Sequence, residues 1–241
     1  MRDHFSLLTD VMSRRQPYEP GEGRLVTLRQ TSVHDLDVLS KGHREVVDLR
    51  SLADEVRDVS RRPRLVAVDG RAGAGKSHFA RSLIPLCGDV ALVRVDDFLW
   101  WGDIEGWWER LRREALEPLL DGRPAQFRVR DWKQDPLGRN VGDRVVLEPA
   151  ETVVVEGVGS SRLDVAERID QAYWVEARPE TRLRRGLRRD GEVRRRNWLE
   201  WMDLEETFFA ADGAPSRADH VIDGEPTVPH DPAREVVRIA R

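Results

Sequence analysis

Two spacings of apolar residues alternate along this chain. Residues 65–68, 90–95, 152–155, 172–175 and 220–222 are short, nearly unbroken apolar runs. Such runs predict buried parallel strands, because strands covered on both faces lose the in-out alternation. Between them apolar residues recur at helical spacing. Val46, Val47, Leu49, Leu52, Val56 and Val59 predict a helix over 44–60 that Pro63 ends, and Phe79, Leu83 and Leu86 predict one over 76–86. A Trp-rich stretch (Trp100, Trp101, Trp107, Trp108) leads into a helix ending near Leu120, and Asp121-Gly122 turns the chain. Residues 126–132 alternate like an exposed strand, and 133–144, with Pro136, Gly138 and Gly142, read as a loop. A basic helix follows at 179–189, then one at 193–210 with Trp198, Met202 and Phe209 as packing residues, and the tail beyond Pro229 predicts a short helix. Strands alternating with helices predict an α/β protein with three layers, a parallel central sheet flanked by helices. Residues 1–45 lack a sustained period and contain Pro17, Pro20, Gly21 and Gly23; they read as an N-terminal arm with a short strand at 25–28, ahead of one domain over 46–241.

Composition narrows the classes. The chain has 241 residues and a formal net charge of −4, with 35% of its residues charged. Nothing global favours nucleic acid as a partner. No apolar run approaches the roughly 20 residues that cross a bilayer, and the first residues lack a secretion signal, so a cytoplasmic protein is expected. Cys87 is the single cysteine, which excludes an intrachain disulfide and a multi-cysteine zinc site. Among 40 basic residues only Lys41, Lys76 and Lys133 are lysine. An arginine-preferring chain thus places a lysine at Lys76, inside a glycine-rich loop, where a compact ammonium suits a phosphate better than a planar guanidinium does.

That loop carries the strongest signal. Gly70, Arg71, Ala72, Gly73, Ala74, Gly75, Lys76 and Ser77, followed by His78, match the phosphate-loop pattern G-x-x-x-x-G-K-[ST] between a predicted strand and a predicted helix. Glycines let main-chain N–H groups converge on phosphate oxygens, and the helix that follows adds its positive end. In this pattern Lys76 reaches the β- and γ-phosphates of a nucleotide and the Ser77 hydroxyl ligates Mg²⁺. By residue frequency the four fixed positions coincide by chance in roughly 1% of chains of this length, and the strand-loop-helix context lowers that further.

Phosphoryl transfer also needs carboxylates, and open α/β sheets place them at the carboxyl ends of strands. Asp96 and Asp97 follow one predicted strand and Glu156 follows another. In the basic helix Arg182, Arg185 and Arg189 share a face, which suits a polyphosphate and equally a solvated surface. The tryptophans between 100 and 108 either line a pocket for an acceptor or pack in the core.

With these residues in place, the chain resembles the uridine kinase-like branch of the P-loop kinases from about Leu52 to Gly224. VAVDGRAGAGKSHFA resembles that family's opening strand, loop and helix; VRVDDFLW its D-x-F-Y segment, with Leu99 at the tyrosine; VVVEGVGSS its V-x-x-E-G strand; and WVEARPETRLRRGLRRDGE its mobile lid, here about 179–196. HVIDG resembles the last strand and loop, which in the family lies near the adenine. The resemblance implies a kinase fold, ATP and Mg²⁺ as cofactors, and a small-molecule acceptor. It makes Asp96 the general base, places Glu156 near the metal with Asp97 supporting metal or base, and closes Arg182, Arg185 and Arg189 over the phosphates. Uridine kinases carry a Y-D-F segment and a nearby histidine that contact the base; here Arg130-Asp131-Trp132 and Asp135 stand instead, so the nucleoside pocket is not reproduced. Two functions follow: a kinase acting on a hydroxyl of a small molecule, or a regulatory protein that uses ATP as a switch.

Overall fold

The apolar runs form the centre of a seven-stranded sheet in the computed structural model, which describes residues 42–240. The strands are β1 (Arg44–Asp48), β2 (Arg64–Asp69), β3 (Val90–Arg94), β6 (Thr152–Glu156), β7 (Gln171–Glu176), β8 (His220–Asp223) and β9 (Glu235–Ile239), in the order β1-β9-β8-β7-β2-β6-β3. Neighbours from β3 through β8 pair in parallel, and β9 runs antiparallel to both β8 and β1. A separate hairpin, β4 (Ala125–Arg130) with β5 (Val141–Leu147), lies outside the sheet.

Side chains alternate across the sheet and feed two cores. Leu65, Val153, Val155, Ala172 and Trp174 point into one; Val66, Val68, Val154, Tyr173 and Val175 point into the other. The first core packs against a helix, α3, made of Trp108–Leu111, a π-wound turn Arg112–Leu116, and Glu117–Leu120. The second packs against α1 (Leu49–Asp58) and α2 (Lys76–Leu83). After β7 the chain forms α4 (Pro179–Asp190), α5 (Arg195–Asp212) and the short α6 (Ala214–Arg217).

Three local expectations are corrected. Residues 44–48 are a strand, not the start of a helix. Val46 and Val47 fall in phase with the helix behind them, but Asp48 caps that helix by accepting from the Arg50 N–H at 2.8 Å, so it begins at Leu49. The last four residues of the expected 133–144 loop and the three after them form β5, paired with β4. The tail forms β9 in place of a helix, with Val237 and Ile239 buried beside β8. The expected strand at 25–28 lies outside the described residues.

The order of strands positions the site. From β2 the chain crosses past β6 to β3, and from β6 it crosses β2 to reach β7. This reversal opens a crevice at the carboxyl end of β2, where the glycine loop emerges.

Candidate active site

Three positive-φ glycines shape the loop: Gly70 (φ 142°), Gly73 (78°) and Gly75 (116°). A Cβ at Gly70 would stand 2.3 Å from the Val175 carbonyl oxygen, and one at Gly73 2.6 Å from that of Arg182. The loop is thus pressed between β7 and α4, with no room for a side chain at either point. Gly75 precedes α2 without offering a side-chain cap, which leaves the helix's positive end for an anion. The buried Lys76 ammonium spans the loop and donates to the Arg71 carbonyl oxygen at 3.0 Å.

Beneath the loop sits Asp69, fully buried. It accepts from Gly70 N (2.7 Å), Gly159 N (2.8 Å), Ser161 N (2.8 Å) and Ser161 Oγ (2.7 Å), locking the turn after β6 to the end of β2. Burial raises its pKa despite these donors and the nearby Lys76 charge. Sequence reasoning passed over Asp69; an acid ending an otherwise apolar buried strand was the signal.

A cleft of about 820 Å³ opens above the loop. Ala72, Gly73, Gly75, Lys76, Ser77, His78, Asp96, Glu156, Arg185 and Arg189 all line it. The Ser77 hydroxyl donates to Glu156 Oε1 at 3.0 Å. Burial raises the Glu156 pKa, Asp96 adds to the rise, and Lys76 opposes it. Ser77 and Glu156 are hard oxygen donors of the kind magnesium takes. No cluster of three or more His, Cys, Asp or Glu side chains able to hold a metal occurs among the described residues. The set fits an ion that keeps water molecules and draws further oxygens from a phosphate chain.

The expected residues outside the cleft are as informative. Asp97 lines a different cavity, of about 590 Å³, between β3 and the hairpin, together with Arg94, Phe127 and Val145. Burial, with the Asp96 charge adding, pushes its pKa up to about 6, and Arg94 works against the rise. Asp97 and Ser77 thus border different cavities. Arg71 is buried under the loop, over the faces of Trp174 and Phe209, with Glu206 at 3.1 Å and Glu176 at 3.5 Å. Of the three arginines on one face of α4, Arg189 lines the cleft and binds Asp190, while Arg185 donates to the carbonyl oxygens of Gly73 and Ala74 (3.1 Å each) and Gly224 (2.8 Å). Arg182 does not line the cleft; buried, it pairs with Glu205 at 3.1 Å.

Much of the remaining cleft wall is aromatic. Trp100, Trp101, Trp132, Trp198 and Trp201 line it, while Trp107 and Trp108 are buried in the core. The stretch from 100 to 108 thus divides between cleft wall and core. Trp101 stands edge-on to Trp198 and Trp201 at ring distances of 5.6 and 5.4 Å. Three indole N–H groups are spent inside the protein: Trp132 on the Asp96 carbonyl oxygen (2.8 Å), Trp198 on Asp190 (3.0 Å) and Trp201 on Glu205 (2.8 Å). Asp135 is held in a turn, accepting from Leu137 N and Asn140 N, and Arg130 donates to the Phe98 and Arg139 carbonyl oxygens.

A mostly parallel sheet with a glycine loop at its strand reversal, the helices α4 and α5 after β7 and an acid at the end of β6 give the chain a fold like that of the P-loop kinases. No family model matches the chain. A uridine kinase from Halobacterium salinarum is 27% identical over 144 residues, covering 52% of this chain and 61% of that protein, so the match spans less than two thirds of that curated relative. A solved structure described as a possible uridine kinase from Bacillus stearothermophilus superposes with a TM-score of 0.52 at 14% identity, covering 72% of this chain and 96% of that one. A D-glycerate 3-kinase from Cryptococcus neoformans gives 0.46 at 12% identity, covering 78% and 98%. Within the class, the chain resembles the uridine kinase-like branch, with an acceptor side that departs from it. No helix among the described residues is long and apolar enough to cross a membrane.

Proposed function

We propose that this chain is an ATP-dependent phosphotransferase that moves the γ-phosphoryl group of ATP to a hydroxyl of a small molecule. One observation carries the reading: Lys76, Ser77, Glu156, Asp96, Arg185 and Arg189 border a single cleft at the carboxyl end of β2. The loop amides and the start of α2 bind the phosphates, and Lys76 exchanges its loop carbonyl for a phosphate oxygen. Ser77 and Glu156 hold magnesium, which when bound screens charge on the phosphates. Asp96 accepts the proton of the acceptor hydroxyl, its main chain held by Trp132. Arg189 reaches the transferring group from the lid, and Arg185 fixes the lid helix to the loop. Closure of α4 and α5 excludes water, the competing acceptor.

A nucleotide-driven switch without an acceptor is the second reading. It is favoured by Asp135, whose carboxylate is spent on the hairpin loop, and Arg130, whose guanidinium is spent on the Phe98 and Arg139 carbonyl oxygens, since neither then reads a nucleoside. Consumption of Mg-ATP against a panel of nucleosides, vitamins and sugars decides between them. Stimulation by one compound, with phosphorylated product, supports the phosphotransferase; binding of nucleotide with no compound stimulating turnover supports the switch.

A further inference from the structure

We propose that Glu205 is a positioning residue that holds the glycine loop in its phosphate-binding shape by tying it to the lid helix and to the aromatic wall. The inference rests on reading the loop as a nucleotide site.

Glu205 lies on α5 with 0% of its surface exposed, one turn after Trp201 and on the same face. Its Oε1 accepts from the Ala72 main-chain N–H at 2.6 Å and from the Trp201 indole at 2.8 Å; its Oε2 accepts from Arg182 at 3.1 Å. The three partners come from three elements. Ala72 and Trp201 both line the cleft and meet at this one oxygen, and Arg182 belongs to α4, whose main chain at that residue presses on Gly73. Loop, lid and wall thus meet at one carboxylate. Arg71, itself held by Glu206 and Glu176, adds a second cation to the same buried group of charges. Burying ionised groups is costly, and an apolar pair of similar size is often as stable. A carboxylate retained at this junction therefore points to placement of the Ala72 amide more than to stability. It also gives Arg182 a role distinct from direct contact with phosphate: its side chain holds Glu205 aimed at the loop.

The test separates placement from stability. Replacing Glu205 and Arg182 together by leucine removes the charge pair as a unit and leaves the Ala72 and Trp201 N–H groups without their acceptor, so the melting temperature should fall only modestly and the fold should persist. Without its acceptor the Ala72 amide is released. The dissociation constant for Mg²⁺ with a non-hydrolysable ATP analogue, measured by calorimetry, should rise about tenfold. Deuterium uptake over residues 70–77 of the nucleotide-free protein should rise as well. Glu205→Gln on the Arg182→Leu background restores an acceptor oxygen for Ala72 and should bring affinity back to within about threefold of the wild type. A folded double-leucine variant with unchanged uptake in the loop overturns the proposal, as does one whose affinity stays within about twofold. Failure of the wild type to bind the analogue would instead overturn the nucleotide reading, and loop exchange would still judge the role of Glu205.

Discussion

The two sides of the cleft are built from different materials. The phosphate side is main chain: glycines with positive φ, amides at the start of α2, and a single ammonium. The rest of the lining, the acceptor side in the proposed reaction, is side chain: five tryptophans and an aspartate from β3's end, the hairpin loop and α5. A site made of main chain demands particular residues at fixed spacing, since only glycine fits where a Cβ would strike a carbonyl oxygen. A wall of aromatic faces tolerates many sequences, because it needs only bulk at the right points in space. Phosphate recognition is therefore rigid and general, and acceptor recognition is where such a fold diverges.

Four experiments break or sharpen this contrast. Lys76→Ala should cost the most, about a thousandfold or more in kcat with the far-UV circular dichroism unchanged, because nothing else on the phosphate side supplies a mobile cation within the loop. Asp96→Asn belongs to the acceptor side. It should lower transfer by about a hundredfold or more while the dissociation constant for ATP, measured by calorimetry, stays near that of the wild type; near-normal turnover would remove Asp96 as the base. Trp132→Phe keeps an aromatic face and deletes only the hydrogen bond to the Asp96 carbonyl oxygen. It should raise KM for the acceptor by a few-fold without changing the affinity for ATP.

The smallest effect is at Asp97, outside the cleft. Its folded pKa, pushed up to about 6, lies above the ordinary value of 3.8. The folded state therefore holds a proton that the unfolded state has lost between about pH 4 and 6, and this group destabilises the fold progressively as pH rises through that window. Asp97→Asn should gain about 1 kcal/mol by urea denaturation at pH 7.5, after allowing for solvent screening, and almost nothing at pH 3.5. Its affinity for Mg-ATP should be unchanged. A loss of that affinity would return Asp97 to the metal site.

Legibility in the sequence followed the same divide. The glycine loop, Glu156 and Asp96 could be read because each sits next to a run whose period defines it. Glu205 was missed, although Trp198, Trp201, Glu205 and Phe208 form one buried stripe along α5 and an acid on such a stripe signals a buried partner. Arg182, Arg185 and Arg189 share a helix face in sequence, yet each meets a different environment. The face of a helix gives direction only, while what stands opposite is set by packing.

By itself, the sequence determined the alternation of strands and helices, the parallel sheet and the phosphate loop, because periodicity and glycine sterics are local properties of the chain. Only the tertiary structure decided that 44–48 joins the sheet, that Asp97 borders a different cavity from Ser77, that Trp100 and Trp101 border the cleft while Trp107 and Trp108 fill the core, and that Arg182 answers to Glu205. These outcomes depend on pairing and contact between segments far apart in the chain, which no local pattern encodes.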